Sequence, residues 1–528
     1  MFRHTSRVLR PSSLQTTAVQ RAIVKRMASA ASLGLKDQTL FKTKGLINGE
    51  WYGSESTFTV HNPSTGQELG QVAEMTVDDT KKAIQAAHEA FQSWSTTTAK
   101  VLLILLQYYQ LTRMFIFKTR HDLLMRFFQL MHEHADDLGR LITLENGKPL
   151  AEGKGENAYS ASFIEWFAEE AVRAYGEVIP PMQNGQRGII IKQPIGVVSI
   201  LTPWNFPSAM ITRKLGAALA AGCTAVVKPA AETPFSALAL AELANRAGIP
   251  KGVINVVTSH KHLPEIAKEM CENPIVKKIS FTGSTRVAKL LAGYAAGTLK
   301  KMTIEAGGNA PFIVFNDADV DQAVEGAVAS NCVCANRIFV QSSVYADFAA
   351  KLASRVSSFV VGDGLEEQTT HGPLIHGKAI EKVESHVKDA VSKGAKILVG
   401  GERLDAKGPN FFAPTVLSDV DPSSQNFIDE TFGPLATLTR FETEDDVVRL
   451  ANDTEFGLAG YFYTRDVGRA WRVAEKLEVG MVGVNVGLIS AAIAPFGGVK
   501  ESGYGREGSH SIEEYMNTKF VSFGGLNG

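Results

Sequence analysis

Two short segments carry the side chains with the clearest chemical potential in this sequence. Glu305 stands in Ile304-Glu305-Ala306-Gly307, and Cys332 opens the run Cys332-Val333-Cys334. A thiolate is a strong nucleophile, and a carboxylate can activate the water that later releases an acyl group from sulfur. The pair indicates covalent catalysis through a thioester. Cys and Glu often occur in long chains without meeting, so the interpretation depends on the motifs around them.

Alternating apolar runs and helical segments indicate how these residues are positioned. From Ile189 onward, short strands alternate with helices, and a second alternating region runs from Pro311 to about Val484. This pattern predicts parallel, doubly wound sheets, in which nucleotides bind outside the carboxyl ends of the strands. The predicted strands cover 196–201, 224–228, 252–257, 312–315 and 515–523, with shorter ones between 45 and 60, and the predicted helices cover 76–94, 120–145, 208–221, 234–247, 344–360, 380–393 and 447–452.

Five further motifs follow one another in a defined order. They are Pro203-Trp204-Asn205-Phe206-Pro207, Lys228-Pro229-Ala230-Ala231-Glu232-Thr233-Pro234, Phe281-Thr282-Gly283-Ser284-Thr285, Glu430-Thr431-Phe432-Gly433-Pro434 and Pro495-Phe496-Gly497-Gly498. Together they closely resemble the NAD(P)-dependent aldehyde dehydrogenase superfamily from about Ile47 to Leu526. Within it, the segments 210–214, 332–337 and 484–490 look like those of succinate-semialdehyde dehydrogenases.

The resemblance implies roles for the motif residues. Cys332 is the nucleophile, Glu305 the base, and the side-chain amide of Asn205 stabilises the oxyanion; the alternative for Asn205 is a turn-capping residue. Lys228 would bind the adenosine ribose, Glu430 the nicotinamide ribose, and Phe432 would line the nicotinamide ring. The full set of expected cofactor-binding residues is Thr202, Pro203, Trp204, Lys228, Pro229, Ala230, Ala231, Gly283, Ser284, Thr285, Glu430 and Phe432, of which Gly283–Thr285 would place backbone N–H groups near the pyrophosphate.

The expected cofactor is NAD or NADP. NAD-preferring relatives have an acid two residues after the proline of the Lys-Pro motif, where it repels a 2′-phosphate. In this chain the position is Ala231, and Glu232 follows it. NADP is therefore permitted, while Glu232 leaves NAD open.

The resemblance also implies an aldehyde substrate with a distal carboxylate. A bidentate arginine suits a carboxylate, and Arg213 and Ser490 match two substrate-binding positions of succinate-semialdehyde dehydrogenases. The alternative for Arg213 is a solvated charge on a helix. The expected reaction is oxidation of succinate semialdehyde to succinate, as in 4-aminobutyrate degradation. Cys334, two residues from the nucleophile, is a candidate redox partner or a small buried side chain.

The fold implied by the resemblance is α/β, with two doubly wound parallel-sheet domains and a small oligomerisation sheet. The expected NAD(P)-binding domain covers 37–304, with a bridging segment at about 174–192. The catalytic domain covers 305–485. Residues 486–528 form a C-terminal return and an oligomerisation strand. The expected assembly is a homo-oligomer, either a dimer or a tetramer.

Composition narrows the choice of partners. The chain has 528 residues and a formal net charge of -1, which gives no electrostatic reason to expect nucleic acid or a membrane surface as a partner. Four cysteines are too few for a disulfide framework in a chain of this length, and no Cys/His set of structural-zinc spacing occurs. We therefore expect no metal site.

The first 36 residues differ from the rest in composition. They contain seven Lys and Arg residues, six of them before Met27 and interleaved with Ser, Thr and apolar side chains, and the first acid is Asp37. This composition is typical of a mitochondrial transit peptide and predicts the matrix as destination. Two alternatives are a disordered basic tail and a shorter cytosolic form that starts at Met27.

The chain departs from the resemblance at two places. About seven residues, roughly two helical turns, are absent before Cys332, where a second substrate arginine and a Gly-Gln-x-Cys lead-in are expected. An apolar insertion, 101–119, interrupts what should be one continuous helix. Both look like splicing errors in the gene model, with true divergence as the alternative. The remaining alternatives are an aldehyde dehydrogenase with another aldehyde substrate, a catalytically impaired form, and another Cys-dependent acyl-transfer enzyme.

Overall fold

The computed structural model describes residues 33–99, 119–329 and 336–526. Cys332 and Cys334, residues 1–32 of the basic leader and all of the insertion except Thr119 therefore lie outside the described residues. Among the helices described, none is long and apolar enough to cross a bilayer.

The described residues form an α/β structure with fourteen α-helices. In chain order they are α1 Val77–Trp94, α2 Arg120–Glu133, α3 Ala135–Asn146, α4 Leu150–Glu170, α5 Ala209–Ala221, α6 Pro234–Ala247, α7 Leu263–Glu272, α8 Thr285–Ala296, α9 Val320–Ala329, α10 Ser342–Ser357, α11 Gly377–Ser392, α12 Gln425–Ile428, α13 Glu444–Asn452 and α14 Val467–Lys476. Short 3₁₀-helices cover Gln38–Leu40 and Ser511–Tyr515.

The strands are mostly short. In chain order they are β1 Gly45–Ile47, β2 Glu50–Tyr52, β3 Thr57–His61, β4 Glu68–Ala73, β5 Glu177–Ile179, β6 Arg187–Pro194, β7 Val197–Leu201, β8 Thr224–Lys228, β9 Ile254–Val256, β10 Val276–Thr282, β11 Lys301–Glu305, β12 Pro311–Val314, β13 Arg337–Gln341, β14 Lys396–Val399, β15 Thr415–Ser418, β16 Leu435–Phe441, β17 Phe456–Gly457, β18 Ala459–Tyr463, β19 Met481–Val484, β20 Pro495–Phe496, β21 Val499–Lys500, β22 Gly503–Tyr504, β23 Glu507–Gly508 and β24 Met516–Phe523.

The first large sheet has the order β2-β1-β9-β8-β7-β10-β11-β22. Its five central strands, β9, β8, β7, β10 and β11, are parallel. Every residue of β7 and β8 is buried, as expected for strands that are covered by helices on both faces. The order reverses between β7 and β10, and a crevice at such a switch point is where α/β sheets bind ligands.

The second large sheet has the order β14-β15-β16-β13-β12-β18-β19, and all of its pairs except β14 with β15 are parallel. A third sheet, β24-β6-β5, is antiparallel, and β24 pairs with β6 along its whole length, from Met516 opposite Pro194 to Phe523 opposite Arg187. The α/β class with two parallel sheets and a small separate sheet is confirmed.

Most helices and strands lie within a few residues of their predicted positions, because their apolar periodicity matches their burial. One prediction is wrong: the helix expected over 120–145 is two helices, α2 and α3, that meet at His134. The His134 backbone, with φ -107° and ψ 21°, ends one helix and begins the next. In the sequence, His134 is flanked by His132, Glu133, Asp136 and Asp137. No Pro or Gly stands among them to mark the break.

The expectation for the insertion falls on residues outside those described. Helix α1 ends at Trp94, before the insertion, and α2 begins at Arg120, after it. The two flanks are joined by backbone hydrogen bonds from Arg120 N to Thr98 O (3.2 Å) and from His121 N to Ala99 O (3.1 Å). Thr119 caps α2 by accepting from Asp122 N. The described residues on the two sides of the insertion are therefore close together.

Candidate active site

The turn that follows β7 and the start of α8 lie on the two sides of the switch point. Trp204 and Asn205 belong to the first, and Gly283 and Ser284 to the second. All four line a cavity of ≈ 480 Å³, which also contacts Glu305 at the end of β11. We call it the Glu305 cavity. Its other lining residues include Pro203, Thr282, Gly307, Lys382, Glu430 and Phe432.

A second cavity, of ≈ 560 Å³, begins on the other side of the same turn. It is lined by Lys148, Glu156, Tyr159, Ala329 and Ser490, among others, and we call it the Ser490 cavity. Trp204, Asn205 and Phe432 line both cavities. The side chain of Asn205 therefore stands where the two cavities meet. Ala329, the last described residue before the segment that contains Cys332, lies on the Ser490 side.

Glu305 is 7% exposed. Burial raises the pKa of its carboxyl above the usual value, while the nearby guanidinium of Arg213 and ammonium of Lys214 lower it and the carboxylate of Glu507 raises it. Thr282 donates a hydrogen bond from Oγ1 to Glu305 Oε2 at 3.3 Å. A buried carboxylate with a raised pKa is suited to accept a proton, because its charged form is poorly solvated.

Behind Glu305 lies a buried cluster of charges on α5 and β23. Arg213 Nε is 2.6 Å from Glu507 Oε2, and Lys214 Nζ is 2.6 Å from Glu507 Oε1. Arg213 Nη2 is 3.7 Å from Glu305 Oε2, and Lys214 donates a hydrogen bond to Thr282 Oγ1 at 2.6 Å. Two cations and one acid are thus held directly behind the candidate base, and Lys214 reaches it through Thr282.

Glu430 and Phe432 enter the Glu305 cavity from the loop between α12 and β16. Burial raises the pKa of Glu430 to about 7, although a backbone N–H of Gly308 donates to its carboxylate. An added Cβ at Gly307 would lie 3.2 Å from Glu430 Oε2 and 3.2 Å from Thr285 Oγ1, so this close approach favours glycine. Phe432 has a left-handed backbone, with φ 49°, and its ring meets Trp204 edge-on at 5.3 Å. Such strain often occurs at ligand sites.

Lys228 ends β8, beside the turn that follows β7. The residue is 3% exposed, and burial lowers the pKa of its ammonium to about 8 while Glu232 and Glu74 raise it. In the part of the chain that the structure describes, no carboxylate lies within ion-pair distance of this ammonium. Thr202 Oγ1 is likewise buried and has no hydrogen-bond partner among those residues. Two polar groups near the switch point can therefore accept a ligand.

The segment after Lys228 leads to a third cavity. Pro229 is buried and Ala230 half-buried. Ala231 and Glu232 line a cavity of ≈ 990 Å³ together with His260, Lys261 and Lys378. The side chain at position 231 thus faces a space that has cationic groups on its walls.

Nine of the eighteen predicted site residues line the Glu305 and Ser490 cavities. Ser490 lines the cavity named after it, and its hydroxyl makes a hydrogen bond with the hydroxyl of Tyr159. Arg213 is placed differently: it is 1% exposed, its guanidinium stacks on Phe496 at 4.1 Å, and its charge faces Glu507. Arg213 Nε is paired with Glu507, and Arg213 is not among the residues that line either cavity. Cys332 and Cys334 lie outside the described residues.

Sequence reasoning missed Lys148, Glu156, Tyr159, Lys214 and Glu507. One signal was available for the last two. Helix α5 is buried at every residue, so the adjacent cations Arg213 and Lys214 in this apolar segment require acids from elsewhere in the fold. The identity of that acid, Glu507, could not be read from spacing because it comes from a distant strand.

Comparisons with known proteins identify the family and the fold. The sequence profile of the Aldehyde dehydrogenase family matches residues 51–521. A glutarate-semialdehyde dehydrogenase of Pseudomonas putida is 54% identical over 92% of this chain and 99% of its own length. The NADP(+) succinate-semialdehyde dehydrogenase GabD of Escherichia coli K12 is 53% identical over 93% of this chain and 99% of its own.

The crystal structure of an E. coli NADP-dependent enzyme covers 93% of this chain and 100% of its own, with a TM-score of 0.88 and 53% identity. The sequence profile extends over both parallel sheets, and the solved structure shares the whole fold. This chain belongs to the aldehyde dehydrogenase family and is an NAD(P)-dependent enzyme of that family.

Proposed function

We propose that this chain oxidises an aldehyde with a distal carboxylate, succinate semialdehyde, to the dicarboxylate. The observation that carries the proposal is the junction of the two cavities at Trp204, Asn205 and Phe432. A cofactor in the Glu305 cavity and an aldehyde in the Ser490 cavity would meet there. The amide of Asn205 and the carboxylate of Glu305 would both face the reacting carbon, which is the arrangement that acyl chemistry on a thiol needs.

The residues around the Glu305 cavity fit NAD or NADP. Lys228 and the hydroxyl of Thr202 would hold the adenosine side, the N-terminus of α8 at Gly283–Thr285 the pyrophosphate, and Glu430 the nicotinamide ribose. Phe432 and Trp204 would line the nicotinamide ring, and Pro203, Pro229 and Ala230 would shape the turns that carry these groups. When bound, the cofactor accepts a hydride.

The remaining chemistry belongs to residues of this chain. Cys332 would attack the carbonyl carbon, and Asn205 Nδ2 would donate a hydrogen bond to the oxygen that becomes negative. After hydride departure leaves a thioester on Cys332, Glu305 would take a proton from a water and so activate it against the acyl carbon. The buried position of Glu305 supports this role because it raises the pKa of the carboxyl, and with it the basicity of the carboxylate.

The substrate proposal depends on the far end of the Ser490 cavity. The hydrogen-bonded hydroxyls of Tyr159 and Ser490 would offer a donor to the carboxylate. Arg213 would complete the binding site if its guanidinium turned from Glu507. The similarity to succinate- and glutarate-semialdehyde dehydrogenases supports an aldehyde of this class.

Turnover of matched aldehydes tests the proposal. The full chain is assayed for production of reduced nicotinamide with succinate semialdehyde, glutarate semialdehyde and butanal, which lacks the carboxylate. We expect kcat/KM for succinate semialdehyde to exceed that for butanal at least tenfold, because hydrogen bonds to a charged group are worth about 1.5–3 kcal/mol. Equal values for the three aldehydes would rule out carboxylate recognition, and no turnover with any of them would rule out the oxidation itself.

We also propose a homo-oligomer, a dimer or a tetramer, that assembles through the β24-β6-β5 sheet. Three apolar side chains are exposed there: Val178 at 78%, Phe520 at 47% and Phe523 at 49%. Exposed apolar patches of this kind mark interaction surfaces. Light scattering on the chain and on Phe520→Ser checks this, since the substitution should shift the mass toward the monomer.

For location we propose the mitochondrial matrix, on the basis of the acid-free basic leader before Asp37. Import of the full chain into isolated mitochondria, followed by protease protection, tests this against a version that starts at Met27. Protection of the full chain alone is the expected result, and equal exposure of both versions would exclude the matrix.

A further inference from the structure

The turn that carries Asn205 is held by an ion pair from outside it. Lys148 Nζ donates a hydrogen bond to the backbone carbonyl of Asn205 at 2.9 Å and lies 2.6 Å from Glu156 Oε2. The other oxygen of Glu156, Oε1, accepts from Ser208 N at 2.9 Å and from Ala209 N at 3.3 Å. One ion pair thus contacts the chain on both sides of the turn, at Asn205 and at the start of α5.

A third contact restrains the preceding peptide unit. Asn146 Nδ2 donates to the carbonyl of Trp204 at 2.9 Å. Asn146 and Lys148 flank Gly147, which ends α3 with φ 92°, and a Cβ there would lie 2.7 Å from Pro373. Gly147 therefore permits the sharp bend that brings both side chains to the same turn, and two consecutive carbonyls are bound by them.

These contacts also determine which end of the Asn205 amide is available. Phe206 N donates to Asn205 Oδ1 at 3.0 Å. A backbone N–H can only donate, so the oxygen of the amide must be the accepting atom. The free donor of the side chain is therefore Nδ2, and its position follows from the position of the backbone between Trp204 and Ser208.

The ion pair is buried, which makes a purely stabilising role a poor explanation. The side chains of Lys148 and Glu156 are 10% and 1% exposed, and desolvation of two charges often cancels their attraction. Lys148 Nζ also lies 4.0 Å from the ring centroid of Phe206, inside the same turn. The pair fixes the positions of three backbone groups around this turn: the carbonyl of Asn205 and the N–H groups of Ser208 and Ala209.

We propose that Lys148 and Glu156 are positioning residues that place the Asn205 amide for oxyanion stabilisation. The proposal rests on the proposed function, because it assigns Asn205 as the oxyanion donor. Oxyanion donors act at about 2.7–3.1 Å from the developing charge, and an error of about 1 Å can cost about a hundredfold in rate. Loss of the ion pair should therefore lower kcat far more than it weakens binding of cofactor or aldehyde.

A double-mutant cycle tests the proposal on the full chain. Lys148→Met keeps the length and the apolar stem of the side chain and removes the charge. We expect kcat to fall about 10- to 100-fold, with KM for the aldehyde and Kd for NADP changed less than about threefold. In an Asn205→Ala background the same substitution should cost less than about threefold, because the amide that it positions is gone. Equal losses in both backgrounds would overturn the proposal.

Two variants act as matched controls. Lys148→Arg keeps the charge and the donors and should recover most of kcat. If Lys148 only filled space, the Arg and Met variants would have similar kcat values. Lys154→Met removes an exposed lysine of α4, the helix that carries Glu156; Lys154 pairs with Asp136 at 2.7 Å, and the substitution should leave kcat at the parental value. If Lys148→Met does not fold, Glu156→Gln replaces it: the amide still accepts from Ser208 N, the ion pair is lost, and the same fall in kcat is expected.

Hydrogen exchange separates failure of this proposal from failure of the proposed function. The backbone amides of Phe206, Ser208 and Ala209 should exchange at least about tenfold faster in Lys148→Met than in the parent or in Lys154→Met. This measurement needs no turnover. A parent that oxidises no aldehyde would refute the function alone, while unchanged exchange at these amides would refute the positioning role whatever the activity.

Discussion

The guanidinium of Arg213 faces Glu507, 2.6 Å from its carboxylate, and lies behind Glu305, the proposed base. A residue expected to bind substrate is thus part of a buried charge cluster. Because Glu507 also pairs with Lys214, the cluster contains two cations and one acid. These three charges shift the pKa of Glu305.

Replacing Arg213 should change how Glu305 titrates. Burial raises the pKa of Glu305 and Arg213 lowers it, so Arg213→Met should raise this pKa further. Glu305 must be ionised to accept a proton, so its activity is lost as the pH falls through its pKa. The acid limb of the kcat profile should therefore move to higher pH in the variant. Breaking the buried pair should also lower the free energy of unfolding by about 3 kcal/mol.

Arg213→Lys is the control for this prediction, because it keeps a positive charge and should leave the acid limb nearer its parental position. The same variants report on substrate binding. If Arg213 also binds the carboxylate, Arg213→Met will raise KM for succinate semialdehyde and not for butanal. An acid limb that stays in place in Arg213→Met would contradict the electrostatic role.

Position 231 should decide how strongly the chain discriminates between the two cofactors. Ala231→Glu would place a negative charge beside the expected 2′-phosphate, at the edge of a cavity that also contains Lys261. Charge repulsion should raise Kd for NADP about 10- to 100-fold and leave Kd for NAD within about threefold. Titration of both cofactors against the intrinsic fluorescence of the protein measures the two constants.

Ala231→Gln adds almost the same volume without charge and should leave Kd for NADP close to the parental value. If the Gln variant weakens NADP as much as the Glu variant, the effect is steric and the assignment of this position to cofactor discrimination fails.

Removal of residues 100–118 should leave the fold intact. The backbone hydrogen bonds from Arg120 to Thr98 and from His121 to Ala99 already join the flanks, and a shorter connection costs less entropy to close. Denaturant unfolding should give a free energy equal to or higher than that of the full chain. Thr119→Ala in the shortened chain should lower it by about 1 kcal/mol, because Thr119 caps α2.

A shortened chain that is less stable than the parent by more than about 2 kcal/mol would show that the insertion contributes to the core. The Thr119 variant provides a reference value, because the loss of one helix N-cap lowers the free energy of unfolding by about 1 kcal/mol.

The short segment before Cys332 should limit activity without affecting cofactor binding. Near-attack geometry tolerates errors of less than about 1 Å, and the absent residues would span roughly two helical turns. We expect the chain as it stands to bind NADP and to oxidise succinate semialdehyde poorly. Inserting a Lys-Phe-Arg-Asn-x-Gly-Gln-Thr lead-in and deleting 101–119 should raise kcat/KM and the preference for the carboxylated aldehyde.

Cys332→Ala in the repaired chain is the control: it should abolish oxidation and leave Kd for NADP unchanged, because the nucleophile does not bind the dinucleotide. Equal kcat/KM values for the original and repaired chains would show that the short segment is a tolerated divergence.

The sequence predicts where the cofactor side of the proposed site lies. Thr202, Lys228 and Gly283 stand at the carboxyl ends of predicted parallel strands, which meet at one edge of a sheet, and their individual roles are implied by the resemblance to the family. The strand bounds 197–201 and 224–228 differ from the predicted ones by at most one residue. These features depend on local periodicity and on a general rule of topology, and both can be read along the chain.

The break at His134 escaped prediction because α2 and α3 each keep a helical apolar pattern, and only packing selects the angle between them. The same holds for the insertion, whose flanks are joined by hydrogen bonds that no local pattern encodes.

Only the tertiary structure decided the surroundings of the catalytic groups. The contact of Lys148 with Asn205 joins residues 57 positions apart, and that of Glu156 with Ser208 joins residues 52 apart. Arg213 could equally have met solvent, a substrate or an acid, and the choice of Glu507 depends on a strand that returns from the far end of the chain. Composition and spacing determine which chemical groups are present, whereas the burial and charge around each group depend on side chains that folding brings from elsewhere.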